Sequence, residues 1–337
     1  MSIVSTESYV HTILLRPLPR FKMGWPDAYE TPTAHPSPGH TMTDNTHPAL
    51  HTRPPHTTRA LALLAVALGV GGCSIFSAPP APPTSAAVVG EIRAGSGYLN
   101  GYLTTAQLPD SLALLPPPPA PGSTAQTADD DSFHRLGALR GTPRGELARQ
   151  DAQLKFPAAA QAFSCALGVP VSAQETPHLE MLLRRTLTDA GRATYKAKDH
   201  YQRTRPFVAF AQPSCTPQEE HHLAKDGSYP SGHSAVGWAW AMVLTEVAPD
   251  RADALLQRGR AFGQSRGICG VHWRSDIEAG RLVGAATVAR LQSDAVFNAQ
   301  LALARAEVAQ ARQRGATPGA QCAAQSEALA ASAALAP

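Results

Sequence analysis

Residues 234–247 read Ser-Ala-Val-Gly-Trp-Ala-Trp-Ala-Met-Val-Leu-Thr-Glu-Val, a stretch that is apolar on several faces of a helix. A helix that is apolar on several faces is buried among other elements, so this stretch predicts a buried helix. Helical patterns continue at residues 253–263 and 276–291, and Thr176-Pro177 predicts another helix start, because a capping side chain followed by Pro suits a first turn. Strand-like alternation is almost absent. The sequence therefore predicts an all-α protein, a single-domain helical bundle.

Composition narrows the classes of protein to which the chain can belong. Of its 337 residues 43% are hydrophobic, which excludes a wholly disordered chain, and only 6% are aromatic, so the core relies on Ala, Leu and Val. The length suits one or two domains. The formal net charge is +3, and no run of Lys and Arg is long enough to form a nucleic-acid patch. We therefore expect no nucleic-acid partner.

A short apolar run near the N-terminus predicts export. Residues 60–72 are almost purely apolar, but this run is too short for a membrane span, which needs about 20 residues. Its length suits the core of a signal peptide, and Arg59 supplies a positive flank. Val70-Gly71-Gly72-Cys73 resembles a bacterial lipobox, in which the Cys is lipidated and becomes the mature N-terminus. We expect an exported protein, in the periplasm or as an outer-membrane lipoprotein with its lipid on Cys73; an ordinary secretory signal is the alternative.

These patterns divide the chain into five segments. Met42 stands at a normal distance before the apolar run, so residues 1–41 are expected to come from a misplaced start codon. Residues 42–72 are expected to be a lipoprotein-type signal peptide, and residues 73–94 a Pro-rich tether. Residues 95–315 are expected to form the folded catalytic domain, and residues 316–337 a disordered Ala-rich tail.

Five cysteines are present, of which four remain if Cys73 is lipidated. Disulfides are permitted in an exported chain, and no Cys-x-x-Cys motif indicates a zinc site. Of these four we expect Cys165 to pair with Cys215. Cys269 lies inside one of the candidate site clusters below and is expected to be a buried free thiol.

The first candidate cluster is the run Lys198-Asp-His-Tyr-Gln-Arg-Thr-Arg-Pro206, which places three cations near a helix end. Pro206 disfavours helix at Arg205, so the last cation is expected to leave the helix. Taken alone, the cluster also fits a solvated basic helix end, which is favourable to the helix dipole.

The second cluster is the run Gly-Ser-Tyr-Pro-Ser-Gly-His-Ser at residues 227–234, directly before the buried helix. Glycines and serines at a helix start expose backbone N–H groups that bind anions. Ser231 and Gly232 stand at this start, and His233 stands at its edge. A plain loop and helix cap is the alternative.

The third cluster runs from Ser265 to Asp276 and contains Arg266 and His272. Arg266 can fork onto an oxyanion. If His272 and Asp276 both lie in the first turn of the next helix, Asp276 can accept from His272 and fix its tautomer, as the orienting acid of a catalytic triad does. In one alternative, Asp276 is only a helix cap and His272 is only a histidine of the core. A metal on the helix face is another, for which too few further ligands are evident.

In order, the clusters read Lys-x6-Arg-Pro, Pro-Ser-Gly-His and Ser-Arg-x5-His-x3-Asp. This resembles the three-part motif of the type 2 phosphatidic acid phosphatase superfamily, which also contains vanadate-dependent haloperoxidases. Residues 227–234 further resemble the motif of bacterial class A non-specific acid phosphatases. Ser234 stands where that family usually has Thr, with little expected consequence, and Arg274 stands where it commonly has Gln, which is expected to alter substrate approach. The resemblance covers roughly residues 95–310.

The resemblance implies a helical bundle and an acid phosphatase that hydrolyses phosphate monoesters through a phosphohistidine. It implies that His272 attacks phosphorus, that Asp276 orients His272, and that His233 serves the leaving group and then water. No metal or cofactor is expected, because cationic side chains neutralise the phosphate. The implied phosphate-binding residues are Lys198, Arg205, Ser231, Gly232 and Arg266.

The implied substrate is a soluble phosphate monoester, because the lipid phosphatases of the superfamily have many membrane spans. Membrane contact is expected only through the lipid anchor, and a homo-oligomer is left open. Two alternatives remain. One is a haloperoxidase that holds vanadate where phosphate would sit, and the other is an inactive phosphate-binding lipoprotein of the envelope. The presence of both histidines together with Asp276 argues against the second, since binding alone needs no nucleophile.

Overall fold

The structure, a computed structural model, describes residues 80–333. Within this range the chain forms α-helices and short 3₁₀ turns and no β-strand; the nearest thing to a sheet is an isolated bridge between Glu91 and Leu99. The prediction of an all-α bundle is therefore confirmed. The helices are α1 (Ala86–Val89), α2 (Ser111–Leu114), α3 (Thr124–Gly137), α4 (Pro143–Asp151), α5 (Gln161–Leu167), α6 (Pro177–Ala193), α7 (Tyr195–Tyr201), α8 (Pro206–Ala209), α9 (Glu220–Leu223), α10 (Gly232–Val247), α11 (Ala252–Ile268), α12 (Arg274–Leu291), α13 (Ala295–Gln313) and α14 (Cys322–Ala333).

Helix α10 is buried, as its apolar sequence predicts, and it forms the centre of the core. It packs against α6, α11, α12 and α13. Trp240 is fully buried there, and its indole N–H donates to the Leu183 carbonyl of α6 at 2.9 Å. The rings of Phe163 and Phe262 pack around that indole. An element enclosed on all sides is a rigid support for the functional groups at its N-terminus.

Two glycines bring α12 unusually close to α10. A Cβ atom added at Gly280 would lie 2.4 Å from the Ser231 carbonyl oxygen, and one added at Gly284 would lie 2.4 Å from the Ala235 carbonyl oxygen. Only glycine permits such an approach of one backbone to another. The contact fixes the first turn of α10 against α12, and the second and third sequence clusters meet at this junction.

Both ends of the folded unit extend further than predicted. Part of the expected tether is attached to the domain, since α1 lies in it and the Gly90 carbonyl accepts from Asn100 N–H at 2.9 Å. Gly315, at φ 71°, follows α13, but the chain then forms α14, so the prediction of a disordered tail is wrong over residues 322–333. Ala and Gln are good helix formers, and a disulfide at Cys322 holds this helix to the domain.

The two disulfides differ from the predicted pairing. Cys165 pairs with Cys322 and Cys215 pairs with Cys269, with Cα–Cα distances of 5.3 and 4.6 Å. The predicted Cys165–Cys215 bond and the free thiol at Cys269 are therefore wrong. A disulfide requires its Cα atoms within about 4.4–6.8 Å, and sequence spacing did not reveal that α14 folds back to α5. Closing a separation of 157 residues is worth roughly 5 kcal/mol in the chain-entropy model.

Several predictions concern residues outside the described range. These are the N-terminal extension at residues 1–41, the signal peptide at residues 42–72 and the lipidation of Cys73. Between residues 80 and 333, no helix combines the length and the apolar character needed to cross a bilayer.

Candidate active site

The three clusters predicted from the sequence converge where the N-termini of α10 and α12 meet. Ser231 caps α10, and its backbone N–H donates to the Asp276 carbonyl in the first turn of α12 at 3.0 Å. Around this junction α7 contributes Lys198 from its last turn, Arg205 directly precedes α8, and Arg266 lies near the end of α11. All five residues are buried. Charges and dipoles are weakly screened in such a place.

His272 lies between an acid and a cation. Its Nδ1 is 3.4 Å from Asp276 Oδ2, and its Nε2 is 3.1 Å from Arg205 Nη1. A guanidinium can only donate, so Nε2 keeps its lone pair and Nδ1 carries the proton that faces Asp276. Burial, with Arg205 and Lys198 nearby, holds the pKa of His272 well below its usual 6.5. The neutral ring, which offers a lone pair, is therefore favoured over the protonated one.

The relation between His272 and Asp276 differs in one detail from the predicted one. His272 lies in the turn before α12 rather than in its first turn, and Asp276 reaches back to it from the third position of that helix. Asp276 Oδ2 also accepts from the Trp273 backbone N–H at 2.8 Å, as a residue near a helix start commonly does. The contact that orients His272 is thus made between a residue before α12 and a residue in its first turn.

Asp276 is also held by Arg203. Arg203 Nη1 donates to Asp276 Oδ1 at 2.6 Å. Burial raises the pKa of the Asp276 carboxyl, and Arg203 opposes that rise. Sequence reasoning counted Arg203 among three cations but assigned it no function. Its position between Lys198 and Arg205 was the feature of the sequence that could have indicated a role in the site.

Lys198 and Arg205 share a carboxylate that sequence reasoning missed. Lys198 Nζ donates to the Gly227 carbonyl at 2.5 Å and lies 3.4 Å from Asp226 Oδ2. Arg205 Nη2 donates to the same Asp226 oxygen at 3.0 Å. Burial lowers the pKa of Lys198 to about 8, so both side chains are cations at neutral and acid pH. Asp226 directly precedes the Gly-rich loop, which places it between the first two clusters.

Arg266 is a buried cation with hydrogen-bond donors that are unpaired within residues 80–333. Its side chain is only 1% exposed, and its Nε and Nη1 atoms have no hydrogen-bond partner among the residues that the structure describes. Leaving buried donors unpaired costs about 1–3 kcal/mol each, and more for a charged group. Unpaired guanidinium donors suit the oxygens of a tetrahedral anion. Arg266 thus has donors available to an oxyanion.

The first turn of α10 adds uncharged donors. Ser231 Oγ accepts from the Ser234 backbone N–H at 3.2 Å and from Ser234 Oγ at 3.0 Å, so its own proton remains to be donated. A Cβ atom at Gly232 would meet nothing closer than Thr194 Oγ1 at 3.7 Å. The protein therefore leaves space above the Gly232 backbone, where the N-terminus of a sixteen-residue helix favours an anion.

His233 stands in the same turn with its tautomer fixed. Its Nε2 is 3.0 Å from the Ala152 carbonyl oxygen, which can only accept, so Nε2 carries a proton and Nδ1 is free to exchange one. Asp151, the residue before Ala152, forms an ion pair with Arg258 and accepts a hydrogen bond from the Ser265 hydroxyl at 2.6 Å. Burial and the nearby Arg266 hold the pKa of His233 well below 6.5. His233 keeps some solvent exposure, whereas His272 is buried.

The arrangement as a whole suits transfer of a tetrahedral oxyanion group. Cations and helix N–H groups can hold the anion, His272 offers a nucleophilic nitrogen, and His233 offers a second nitrogen that can give or take a proton. Among residues 80–333, no three His, Cys, Asp or Glu side chains lie close enough together to hold a metal ion. This combination suits a phosphoryl-transfer site in a helical bundle.

The comparisons with known proteins agree with this class. The family model described as PAP2 superfamily matches residues 179–297, which include all three clusters. The chain is 45% identical over 213 residues to a non-specific acid phosphatase of Providencia stuartii, which covers 63% of this chain and 86% of that protein. It is 42% identical over 209 residues to an acid phosphatase of Zymomonas mobilis, covering 62% and 79%. It is 45% identical over 200 residues to a non-specific acid phosphatase of Salmonella typhimurium, covering 59% and 80%.

The chain belongs to the PAP2 superfamily and, within it, to the family of bacterial non-specific acid phosphatases, which are phosphoric monoester hydrolases. The family predicted from the three clusters is therefore confirmed.

Proposed function

We propose that the protein is an exported, non-specific acid phosphatase that hydrolyses soluble phosphate monoesters through a phosphohistidine and without a metal ion. The observation that carries this proposal is the setting of His272, whose Nε2 keeps a lone pair beside Arg205 while Nδ1 faces Asp276. A histidine that only bound phosphate would donate a proton to it, whereas this one presents a lone pair, as a nucleophile does. The relatives named acid phosphatases support the substrate class.

In the first half-reaction, Nε2 of His272 attacks phosphorus. The bound phosphate anion raises the pKa of His233, which takes a proton from solvent at Nδ1 before the chemical step. The P–N bond then forms as the bond from phosphorus to the leaving oxygen breaks, and His233 gives this Nδ1 proton to the leaving alkoxide. Positive charge grows on the His272 ring, and the carboxylate of Asp276 stabilises it. The negative charge on the phosphoryl oxygens is met by the cations Lys198, Arg205 and Arg266.

In the second half-reaction, water replaces the alkoxide. His233, now neutral, takes a proton from water through Nδ1 while the water oxygen attacks phosphorus. The P–N bond breaks, inorganic phosphate forms and the electron pair returns to Nε2 of His272. The proton given to the alkoxide is thus recovered from water, and the site returns to its starting state.

Hydrolysis without a metal ion is the first test of this proposal. Because the cations are side chains, p-nitrophenyl phosphate hydrolysis at acid pH should be unchanged by prior dialysis against a chelator. Vanadate should inhibit, since it resembles five-coordinate phosphorus and suits the same donors. Both are measured by release of p-nitrophenolate, with peroxide-dependent halide oxidation in the presence of vanadate as the comparison assay. Activity that disappears with chelator and returns with zinc would contradict the mechanism.

Export with a lipid on Cys73 is proposed from the apolar run at residues 60–72 and the Gly-Gly-Cys that follows. Labelled palmitate should be incorporated into the wild-type protein and be absent from the Cys73→Ser variant, while that variant still reaches the periplasm or remains unprocessed in the inner membrane. Label that persists in Cys73→Ser would rule out the lipid anchor. Wild-type protein found only in the cytosol would rule out export as well.

A further inference from the structure

A buried arginine with no part in the proposed steps lies directly behind Asp276. The Arg203 side chain is 9% exposed, and its Nη1 donates to Asp276 Oδ1 at 2.6 Å. Its guanidinium also lies over the Trp273 ring, 5.1 Å from the ring centroid. Asp276 therefore gives one oxygen to Arg203 and the other to His272 and Trp273. Arg203 reaches the nucleophile only through this carboxylate.

A second carboxylate fixes Arg203 from the other side. Arg203 Nη2 donates to Asp129 Oδ2 at 2.8 Å and to Gln126 Oε1 at 2.7 Å. Asp129, on α3, also accepts from the Ser275 backbone N–H at 2.9 Å and from Ser275 Oγ at 2.5 Å. Ser275 in turn accepts from Arg203 Nη1 at 2.7 Å. The guanidinium is thus clamped between α3 and the first turn of α12.

We infer that Arg203 and Asp129 form a positioning pair that keeps Asp276 ionised and correctly oriented, and through Asp276 keeps His272 in its reactive tautomer. The inference rests on the proposed function of His272 as nucleophile. Arg203 and Asp129 are positioning residues, because their contacts are with Asp276, Ser275 and each other rather than with the phosphate-binding groups.

The charge balance around Asp276 shows why Arg203 matters most in acid. The charged and titratable groups facing Asp276 are Arg203, Asp129, His272, Lys198, Arg205 and Tyr229. Burial favours the neutral acid and raises the pKa of Asp276, while Arg203 is the nearest opposing cation. Without Arg203 that pKa rises further, so Asp276 gains a proton at a higher pH. A protonated Asp276 cannot stabilise the charge that develops on the His272 ring.

The test is the pH dependence of kcat/KM for p-nitrophenyl phosphate in Arg203→Gln and Arg203→Lys. In Arg203→Gln the acid limb of the profile should move to higher pH, and each unit of movement costs a further factor of about ten at pH values below it. Arg203→Lys keeps the cation and should retain most of the wild-type acid limb. The inhibition constant for inorganic phosphate should change by less than about twofold in both, because the phosphate-binding groups remain.

A control variant at another arginine and a second variant at Asp129 complete the test. Arg312→Gln removes an arginine that contacts Asp250 and the Leu167 carbonyl rather than a residue of the site, and should leave the pH profile unchanged. Asp129→Asn keeps the contact between Arg203 and Asp276 but removes a carboxylate that competes for Arg203, so the acid limb should move to lower pH, opposite to Arg203→Gln. The double variant Arg203→Gln/Asp129→Asn should be no worse than Arg203→Gln alone, because both act through one network.

A uniform loss of activity at every pH in Arg203→Gln, with no rescue by Lys, would overturn the inference and leave Arg203 a purely structural residue. If Arg203→Gln does not fold, as judged by circular dichroism, an unshifted profile in Asp129→Asn would overturn it equally. The outcome is separable from the proposed mechanism, because trapping of a phosphohistidine in the wild type tests that mechanism, whereas the shift of the acid limb is read from steady-state rates.

Discussion

Replacement of His272 by alanine is expected to abolish the covalent intermediate and to lower kcat by about 10⁴-fold or more, as losses of catalytic nucleophiles do. The wild type, mixed with ³²P-labelled substrate and quenched in alkali within milliseconds, should yield an acid-labile, alkali-stable phosphohistidine. His272→Ala should yield none. The reason is geometric, because His272 Nε2 is the lone pair held beside Arg205, with Asp276 at the other ring nitrogen.

Two controls separate loss of the nucleophile from loss of the site. His178→Ala removes a histidine of α6 that contacts Gln300 of α13, and it should retain kcat within about threefold. His272→Ala should still bind inorganic phosphate, since Arg266 and Lys198 remain, and equilibrium binding measures this directly. A labelled phosphoenzyme in His272→Ala would assign the nucleophile to another residue and contradict the mechanism.

The electrostatics of the two histidines explain how the site can work in acid. A free histidine is mostly protonated at pH 5, and a protonated His272 could not attack phosphorus. Burial and Arg205 hold its pKa well below 6.5, which keeps the proposed nucleophile neutral to lower pH than a free histidine. Lys198, with a pKa of about 8, stays cationic over the same range. His233 also starts neutral, but a phosphate anion beside it raises its pKa and lets it take up the proton that the leaving group needs.

The same depressed pKa values make the folded protein less stable in acid. Below pH 6.5 the unfolded chain binds protons at His233 and His272 that the folded chain does not bind. The free energy of unfolding therefore falls as pH drops through 6.5 towards the folded-state pKa values. The disulfides, which do not titrate in this range, oppose unfolding at every pH.

Much of the fold and of the site follows from local sequence patterns. Residues 234–247 are apolar on several faces, which favours burial whatever the topology. Lys198, Arg205, Arg266 and His272 could be found because their clusters combine charge, Gly-rich turns and fixed spacings. These features act within one turn or one helix end, so the chain order is enough to reveal them.

What the sequence did not reveal depends on contacts between distant segments. Asp129 lies 146 positions before Ser275 and stands in a run of three aspartates, of which only the fold shows that the first is buried against Arg203. The disulfide partners were missed for the same reason, because Cys322 reaches Cys165 only after α14 has folded back. Ala152, whose carbonyl orients His233, carries no side-chain signal that a sequence could show.

Replacement of His233 by alanine should harm catalysis by an amount that depends on the leaving group. A sugar alkoxide is a poor leaving group and needs a proton, and general acid catalysis is worth about 10²–10⁴-fold. p-Nitrophenolate leaves without much protonation. The first half-reaction of His233→Ala should therefore be slowed far more for a sugar phosphate than for p-nitrophenyl phosphate. The assignment rests on the free Nδ1 of His233, whose other nitrogen is committed to the Ala152 carbonyl at 3.0 Å.

The second half-reaction gives His233→Ala its distinguishing behaviour. Without a base to activate water, the phosphohistidine formed from p-nitrophenyl phosphate should accumulate, so a burst of p-nitrophenolate should precede a slow steady state. Rapid quench with both substrates measures formation and decay of the intermediate separately. If His233→Ala and His272→Ala lost phosphoenzyme formation equally on p-nitrophenyl phosphate, the two histidines would not divide the work in this way. His233 would then serve binding or attack itself, because a proton donor alone cannot be essential where the leaving group needs no proton.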